Sequence, residues 1–209
     1  MIAFSSRWIN CFLLFLFVIL VTGNTGSYAR KPKRCPLNYQ NVNTSKNLDL
    51  SNTMLELVNK VRNKKKLPPL RFDPDLMVMA QAWTDVMTRD CFCSHVHPKD
   101  KSLTLHNRLV MFNRDRIKKG LSALKLDQIS ENVGFSAETH MKDEDHIRTI
   151  FEGFLDSKGH KQNILSKEST IIGIGIARGT YKGIPALFLT QIFGHPSDHP
   201  LQFIGSQEL

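Results

Sequence analysis

From Leu50 onward the chain alternates amphipathic stretches with turn signals. Met54, Leu57, Val58 and Val61 recur at three- and four-residue spacing, the period of one helix face. Thr53-Met-Leu-Glu56 has the form of a capping box at its start, and Pro68-Pro69 stops it. A second helix is predicted from Asp73 as N-cap, with Pro74 at the first helical position. Leu76, Met79, Ala80, Trp83 and Met87 mark its buried stripe. A third amphipathic helix centres on Ile147, Ile150, Phe151 and Phe154 and ends near Gly159. Glu152 falls on its polar face beside Arg148 and Asp156, as a solvated carboxylate does.

Further along, the period changes from helical to alternating. Residues 170–177 (TIIGIGIA) alternate Ile with Gly or Ala, 179–183 (GTYKG) turn, and 186–193 (ALFLTQIF) return. This pattern predicts an antiparallel hairpin with a loop of about five residues. Ile172, Ile174 and Ile176 share one face; on the other, Gly173 and Gly175 leave room for a close approach. The Gly-x-Gly is mid-strand and opens no helix, so it is not a dinucleotide fingerprint. Residues 128–135 (QISENVGF) form a further candidate strand. Helices first and a hairpin last predict an α+β fold rather than a parallel α/β sheet.

The amino-terminal residues follow a different logic. Residues 11–21 (CFLLFLFVILV) are uninterruptedly apolar, with Arg7 the one charge before them. Eleven residues at about 1.5 Å each cover about half of a bilayer core, which suits a signal peptide better than a spanning helix. Ser27-Tyr28-Ala29 places small residues where a signal peptidase reads, so cleavage is expected after Ala29 and the product is expected to be secreted. The alternative is an uncleaved anchor that tethers the protein to a membrane. Residues 30–49, opened by RKPKR, read as a basic polar arm, residues 50–195 as the domain, and residues 196–209 as a tail.

Charge and cysteines add less. The chain carries a formal charge of +9, which falls to +8 when Arg7 leaves with the signal segment. That surplus admits weak binding to anionic polymers or membranes and specifies no nucleic acid. Segment 108–125 (RLVMFNRDRIKKGLSALK) concentrates cations, either as an inserted basic helix or, more plainly, as a solvated surface loop. Without residues 1–29, Cys35, Cys91 and Cys93 remain, so Cys35 could bridge to either of the others. Asn43-Thr44-Ser45 is a glycosylation sequon.

Four polar clusters carry the candidate chemistry: residues 93–97 (CSHVH), 130–134 (SENVG), 157–163 (SKGHKQN), and 194–196 with His199. Singly each is weak, because an isolated His more often caps or hydrogen-bonds than ligates. In order, the helix-bearing stretch through LRFDPDLMVMAQAW, then SHVHP, ENVGF, FLDSKGHKQNIL, IIGIGIA and FLTQIFG resembles the CAP superfamily. This is the cysteine-rich secretory, antigen 5 and pathogenesis-related-1 group, also called SCP domains. The resemblance runs from about Leu50 to Gly194, and residues 157–165 look most like the bacterial-type branch.

The resemblance implies a three-layer α-β-α sandwich with a central antiparallel sheet and a cleft holding two histidines and acidic groups. By motif these are His95, Glu131 and His160. The family's second glutamate, in a W-x-x-E pattern, aligns with Ser157, and the aromatic of that pattern is Phe154 here. Two imidazoles and a carboxylate could hold Zn²⁺ or another divalent metal with a position open to water, so His95, His160 and Glu131 are candidate ligands. The resemblance further implies an extracellular ligand or partner, lipids or sterols among them. A metal-dependent hydrolase using the same residues is the alternative; Ser157 or Ser94 as nucleophile lacks a G-x-S-x-G elbow.

Overall fold

A computed structural model describes residues 44–197. In chain order the elements are α1 (Thr44–Lys64), β1 (Arg71–Phe72), α2 (Pro74–Arg89), α3 (Leu105–Lys118), β2 (Leu126–Ala137), α4 (Asp143–Asp156), α5 (Lys158–Ile164), β3 (Ile171–Tyr181) and β4 (Ile184–Pro196). The sheet order is β1-β3-β4-β2. Its three long strands are antiparallel, and the two-residue β1 joins β3 in parallel, so the sheet is mixed rather than wholly antiparallel.

The alternation read from β3 decides the layers. Ile172, Ile174 and Ile176 meet Leu187, Leu189 and Phe193 of β4 beneath α1 (Leu50, Met54, Val58) and α4 (Ile147, Ile150, Phe154). On the other face lies α2, with Leu76, Met79 and Ala80 against Ile171 and Ile192, and Trp83 and Met87 against Val133 and Phe188. The result is the expected α-β-α sandwich. Asp73 caps α2 by accepting from the Leu76 amide at 2.9 Å, and Pro74 fills the position whose N–H would be unpaired.

Four local expectations change. First, α1 begins at Thr44 rather than near Leu50, so residues 44–49 are helix and not arm. Asn47 explains this: its amide donates to Ile176 O at 3.1 Å, pinning the first turns to β3. Second, Thr53 lies inside that helix and donates to Asp49 O at 3.0 Å, so it caps nothing. Third, the hairpin turns in two residues, Lys182 and Gly183, with φ of 52° and 85°. Both central residues are left-handed, the twist a tight hairpin requires. Fourth, segment 108–125 is mostly helix rather than loop. Thr104 caps α3 by accepting from the Asn107 amide, and Leu105, Leu109 and Phe112 pack on the α2 face.

No helix among the described residues is long and apolar enough to cross a membrane. The expected signal segment or anchor, the basic arm from residue 30 to residue 43, Cys35, Asn43 and the tail beyond residue 197 lie outside the described residues.

Candidate functional site

Strand β2 is at the sheet edge, and its alternation sends Glu131 towards α3 while Asn132 faces α5. The Glu131 side chain is 2% exposed, and burying a carboxylate that deeply requires charged or hydrogen-bonding partners. It has two. Arg108 of α3 donates from both terminal nitrogens, at 2.8 Å to Oε2 and 3.0 Å to Oε1. His95 Nδ1 lies 3.0 Å from Oε1. Arg108 is itself stacked, its guanidinium 3.8 Å from the centre of the Trp83 ring.

Trp83 and Arg108 also shape the loop between α2 and α3 that carries His95. The indole N–H donates to Ser94 O at 3.1 Å, and Arg108 donates to His95 O at 3.2 Å. The bond between Nδ1 and the carboxylate leaves His95 Nε2 as the outward atom of a side chain that is 41% exposed.

His160 arrives from the other side of the β2 edge, on α5, its ring centre 6.0 Å from that of His95. Asn132 and Asn163 stitch α5 to the strand. Asn132 donates to His160 O at 3.1 Å and to Gln191 Oε1 at 2.9 Å; Asn163 donates to Glu131 O at 3.1 Å and Asn132 Oδ1 at 2.9 Å. Phe154 meets the His160 ring edge-on at 5.0 Å. His160 Nδ1 is buried with no hydrogen-bond partner among the described residues. Burial, helped by the nearby His95, pulls its pKa down to about 4.

A buried neutral histidine makes stability depend on pH. Between about 4 and the ordinary 6.5, the unfolded chain takes up a proton that folded His160 refuses. His160 therefore costs nothing above this window, and stability falls as the pH drops through it. His146, whose pKa is also lowered by burial, acts in the same direction. Urea midpoints measured from pH 7 to 4 are expected to decline, and His160→Gln is expected to flatten that slope. Parallel curves for the two proteins would mean that His160 titrates normally.

Of the sequence-predicted residues, His95, Glu131 and His160 come together. Ser157 separates α4 from α5, three residues before His160, and its hydroxyl makes no hydrogen bond among the described residues. Glu152 and Asp156 are exposed, as the helix pattern predicts. His97 departs to a different site, with Nε2 3.1 Å from Asp90 Oδ2 and Nδ1 accepting from the Lys99 amide. The sequence reading missed Arg108 as a member, and it included Asn132 and Asn163 in polar clusters without giving either a role in the cleft. Arg108 sat in a run of cations, and only its pairing with a buried carboxylate across 23 residues distinguishes it.

The cysteine-rich secretory protein family model, CAP, matches residues 55–193, the span from α1 through nearly all of β4. The chain belongs to the CAP family. A curated relative, the uncharacterized membrane protein YlbC of Bacillus subtilis (strain 168), is 27% identical over 128 residues, covering 61% of this chain and 32% of its own. The chain thus spans about a third of that relative's length. Among solved structures, an outer surface protein from Borrelia burgdorferi aligns with a TM-score of 0.52 at 15% identity, over 71% of this chain and 94% of that one. An extracellular SCP-domain protein from Bacillus anthracis str. Ames aligns with a TM-score of 0.48 at 24% identity, over 69% of this chain and 39% of that one.

The CAP cleft can be tested here as a metal site. A tetrahedral Zn²⁺ held by two imidazoles at about 2.0–2.1 Å puts their ring centres roughly 5–6 Å apart, which His95 and His160 match. Glu131 does not complete the set. Both of its oxygens accept from Arg108, whose charge already neutralises the carboxylate. Among the described residues no group of three His, Cys, Asp or Glu side chains is arranged to hold a metal. The three-ligand set expected from the sequence does not fit this arrangement.

Proposed function

We propose that this CAP domain belongs to a secreted protein and that its cleft is a recognition site for an extracellular ligand rather than a catalytic centre. The observation that carries this reading is the burial of Glu131 together with its bidentate pairing to Arg108. A general base needs a free lone pair within reach of substrate, and an activated water needs a base or a metal. Here the carboxylate is 2% exposed, pairs with Arg108 through both oxygens and bonds His95 through Oε1, so burial keeps what acceptor capacity remains out of reach of substrate. Nucleophilic chemistry finds no support either. Ser94 Oγ accepts from the Val96 amide at 3.3 Å, and neither Ser94 nor Ser157 is bonded to an imidazole among the described residues.

What the cleft offers outward is hydrogen bonding. Arg108 and Glu131 cancel in charge, His160 is neutral, and the half-exposed His95 presents Nε2. A ligand with polar groups at one end meets a rigid, charge-balanced patch. Lipids and sterols remain among the ligands to screen.

The test compares wild type with His95→Ala/His160→Ala. The double variant is expected to stay folded and to lose at least tenfold in affinity for a ligand captured from the extracellular medium. Hydrolysis of ester, amide or glycoside libraries is expected to stay at background for both proteins. Zinc supplies the opposing outcome. At one hundred times Kd, a metal specific to the folded state stabilises by about 2.7 kcal/mol, which is a visible rise in Tm. Such a rise, abolished by His160→Ala and accompanied by turnover, would replace this reading with a metal-dependent hydrolase.

A further inference from the structure

Helix α3 has two faces of different character. Inward, Leu105, Leu109 and Phe112 pack against the α2 layer, and Arg108 reaches Glu131. At 3.6 residues per turn, Met111, Arg114, Ile117 and Lys118 fall together on the opposite side, within an arc of about 120°. Met111 is 54% and Ile117 61% exposed, whereas Leu105, Leu109 and Phe112 on the inward side are partly buried.

Leu121 extends this face and is held in place. Its amide donates to Arg116 O at 2.9 Å, and the Gly120 amide donates to Ile117 O at 3.0 Å, the two bonds of a Schellman motif. That motif ordinarily closes with an apolar contact one turn back. Here the positions one turn back are Asp115 and Arg116, engaged with Lys119 and Asp75. Leu121 is left 52% exposed on a fixed backbone.

The charges complete the pattern. Asp115, the one acid in α3, is neutralised by Lys119, while Arg114 and Lys118 make no ion pair among the described residues. The face therefore sets two uncompensated cations among three exposed apolar side chains.

We propose that the outer face of α3 docks on an anionic lipid surface. An anionic polymer would satisfy Arg114 and Lys118 but leave Met111, Ile117 and Leu121 in water. A lipid interface takes both: apolar side chains enter the headgroup boundary while the cations reach lipid phosphates or carboxylates. The face belongs to a convex helix, and a fluid surface needs no matching groove.

The test is vesicle flotation of the purified full chain, with neutral phosphatidylcholine vesicles or the same lipid carrying phosphatidylserine. Binding is expected only to the anionic vesicles and to weaken with added salt. Arg114→Gln/Lys118→Gln is expected to lose roughly thirtyfold, since each cation near such a surface contributes about fivefold. Met111→Ser/Ile117→Ser/Leu121→Ser changes exposed positions only and is expected to remain folded while losing at least tenfold. All variants keep the amino-terminal apolar run, so binding through that run would leave them unchanged, and that result overturns the proposal. So does loss in the charge variant with full binding in the serine variant, the signature of a polyanion site. Equal affinity for neutral vesicles overturns it as well.

Discussion

Gly173→Ala is expected to destabilise the domain by roughly 4 kcal/mol or more, at the severe end for one added methyl group. A Cβ at this position would lie 2.1 Å from the Leu76 carbonyl carbon and 2.4 Å from the Met77 nitrogen. Both are backbone atoms inside α2, so no rotamer change relieves the overlap. The helix itself must lift from β3. Gly175 is under the same pressure one turn later, 2.4 Å from the Ala80 carbonyl carbon. Lifting α2 would also displace Trp83, which holds the Ser94 carbonyl and stacks on Arg108.

The same variant should therefore damage the cleft as well as the core. In a thermal melt the loss corresponds to about 10 °C or more. Gly159→Ala is the control, because nothing lies within 4 Å of its prospective Cβ and it sits inside α5. That substitution is expected to be neutral or to stabilise by up to about 1 kcal/mol. If both alanines shift Tm by similar small amounts, α2 does not pack on bare backbone.

Arg62→Met is expected to cost about 3–5 kcal/mol, although Met fills much of the same volume. Arg62 is fully buried and makes no ion pair among the described residues. Its guanidinium instead donates to four backbone carbonyls: Pro68 O at 2.9 Å, Ile164 O at 2.9 Å, Ser166 O at 2.8 Å and Ser169 O at 3.2 Å. One side chain thus ties the end of α1 to the turn before β1, the end of α5 and the approach to β3. Met would leave those carbonyls buried without donors.

Arg62→Lys is expected to recover less than half of the loss. A compact ammonium cannot span carbonyls that a planar fork reaches together. Because two of the four carbonyls are at the carboxy-terminal end of α5, the helix bearing His160, local protection there should fall first. Hydrogen exchange of α5 amides in Arg62→Lys would show it. Unchanged α5 protection, or full rescue by Lys, would mean that the clamp is dispensable.

Arg62 also shows where sequence reading stops. It belongs to a cationic run with Lys60 and Lys64 to Lys66 at a helix end, where solvation and the helix dipole explain every charge equally well. Burial of one of them depends on carbonyls from residues 164, 166 and 169, about a hundred positions away. Arg108 is a second case. Its segment reads as solvated because the partners that bury it, Trp83 and Glu131, belong to α2 and β2. Thr53 is the converse: its capping-box neighbours are local, but Asn47 bonding to β3 carries the helix past it.

By itself the sequence determined what depends on period and spacing. Helix stripes, the Ile/Gly alternation of β3, the Asp73-Pro74 start and each of the short segments around His95, Glu131 and His160 are local patterns, each encoded within a short stretch of chain. Those features suffice for an α+β fold; the sandwich, and a cleft holding His95, Glu131 and His160, followed from the resemblance to the CAP superfamily, and Arg108 was not among its expected members. The tertiary structure alone decided the electrostatic character of that cleft and of its surroundings. Whether Glu131 is a free base or a neutralised strut depends on one guanidinium from α3. Whether His160 is charged depends on how closely α4, α5 and β2 exclude water around it. Burial and pairing are properties of chain segments meeting in space, and no local pattern fixes which segments meet.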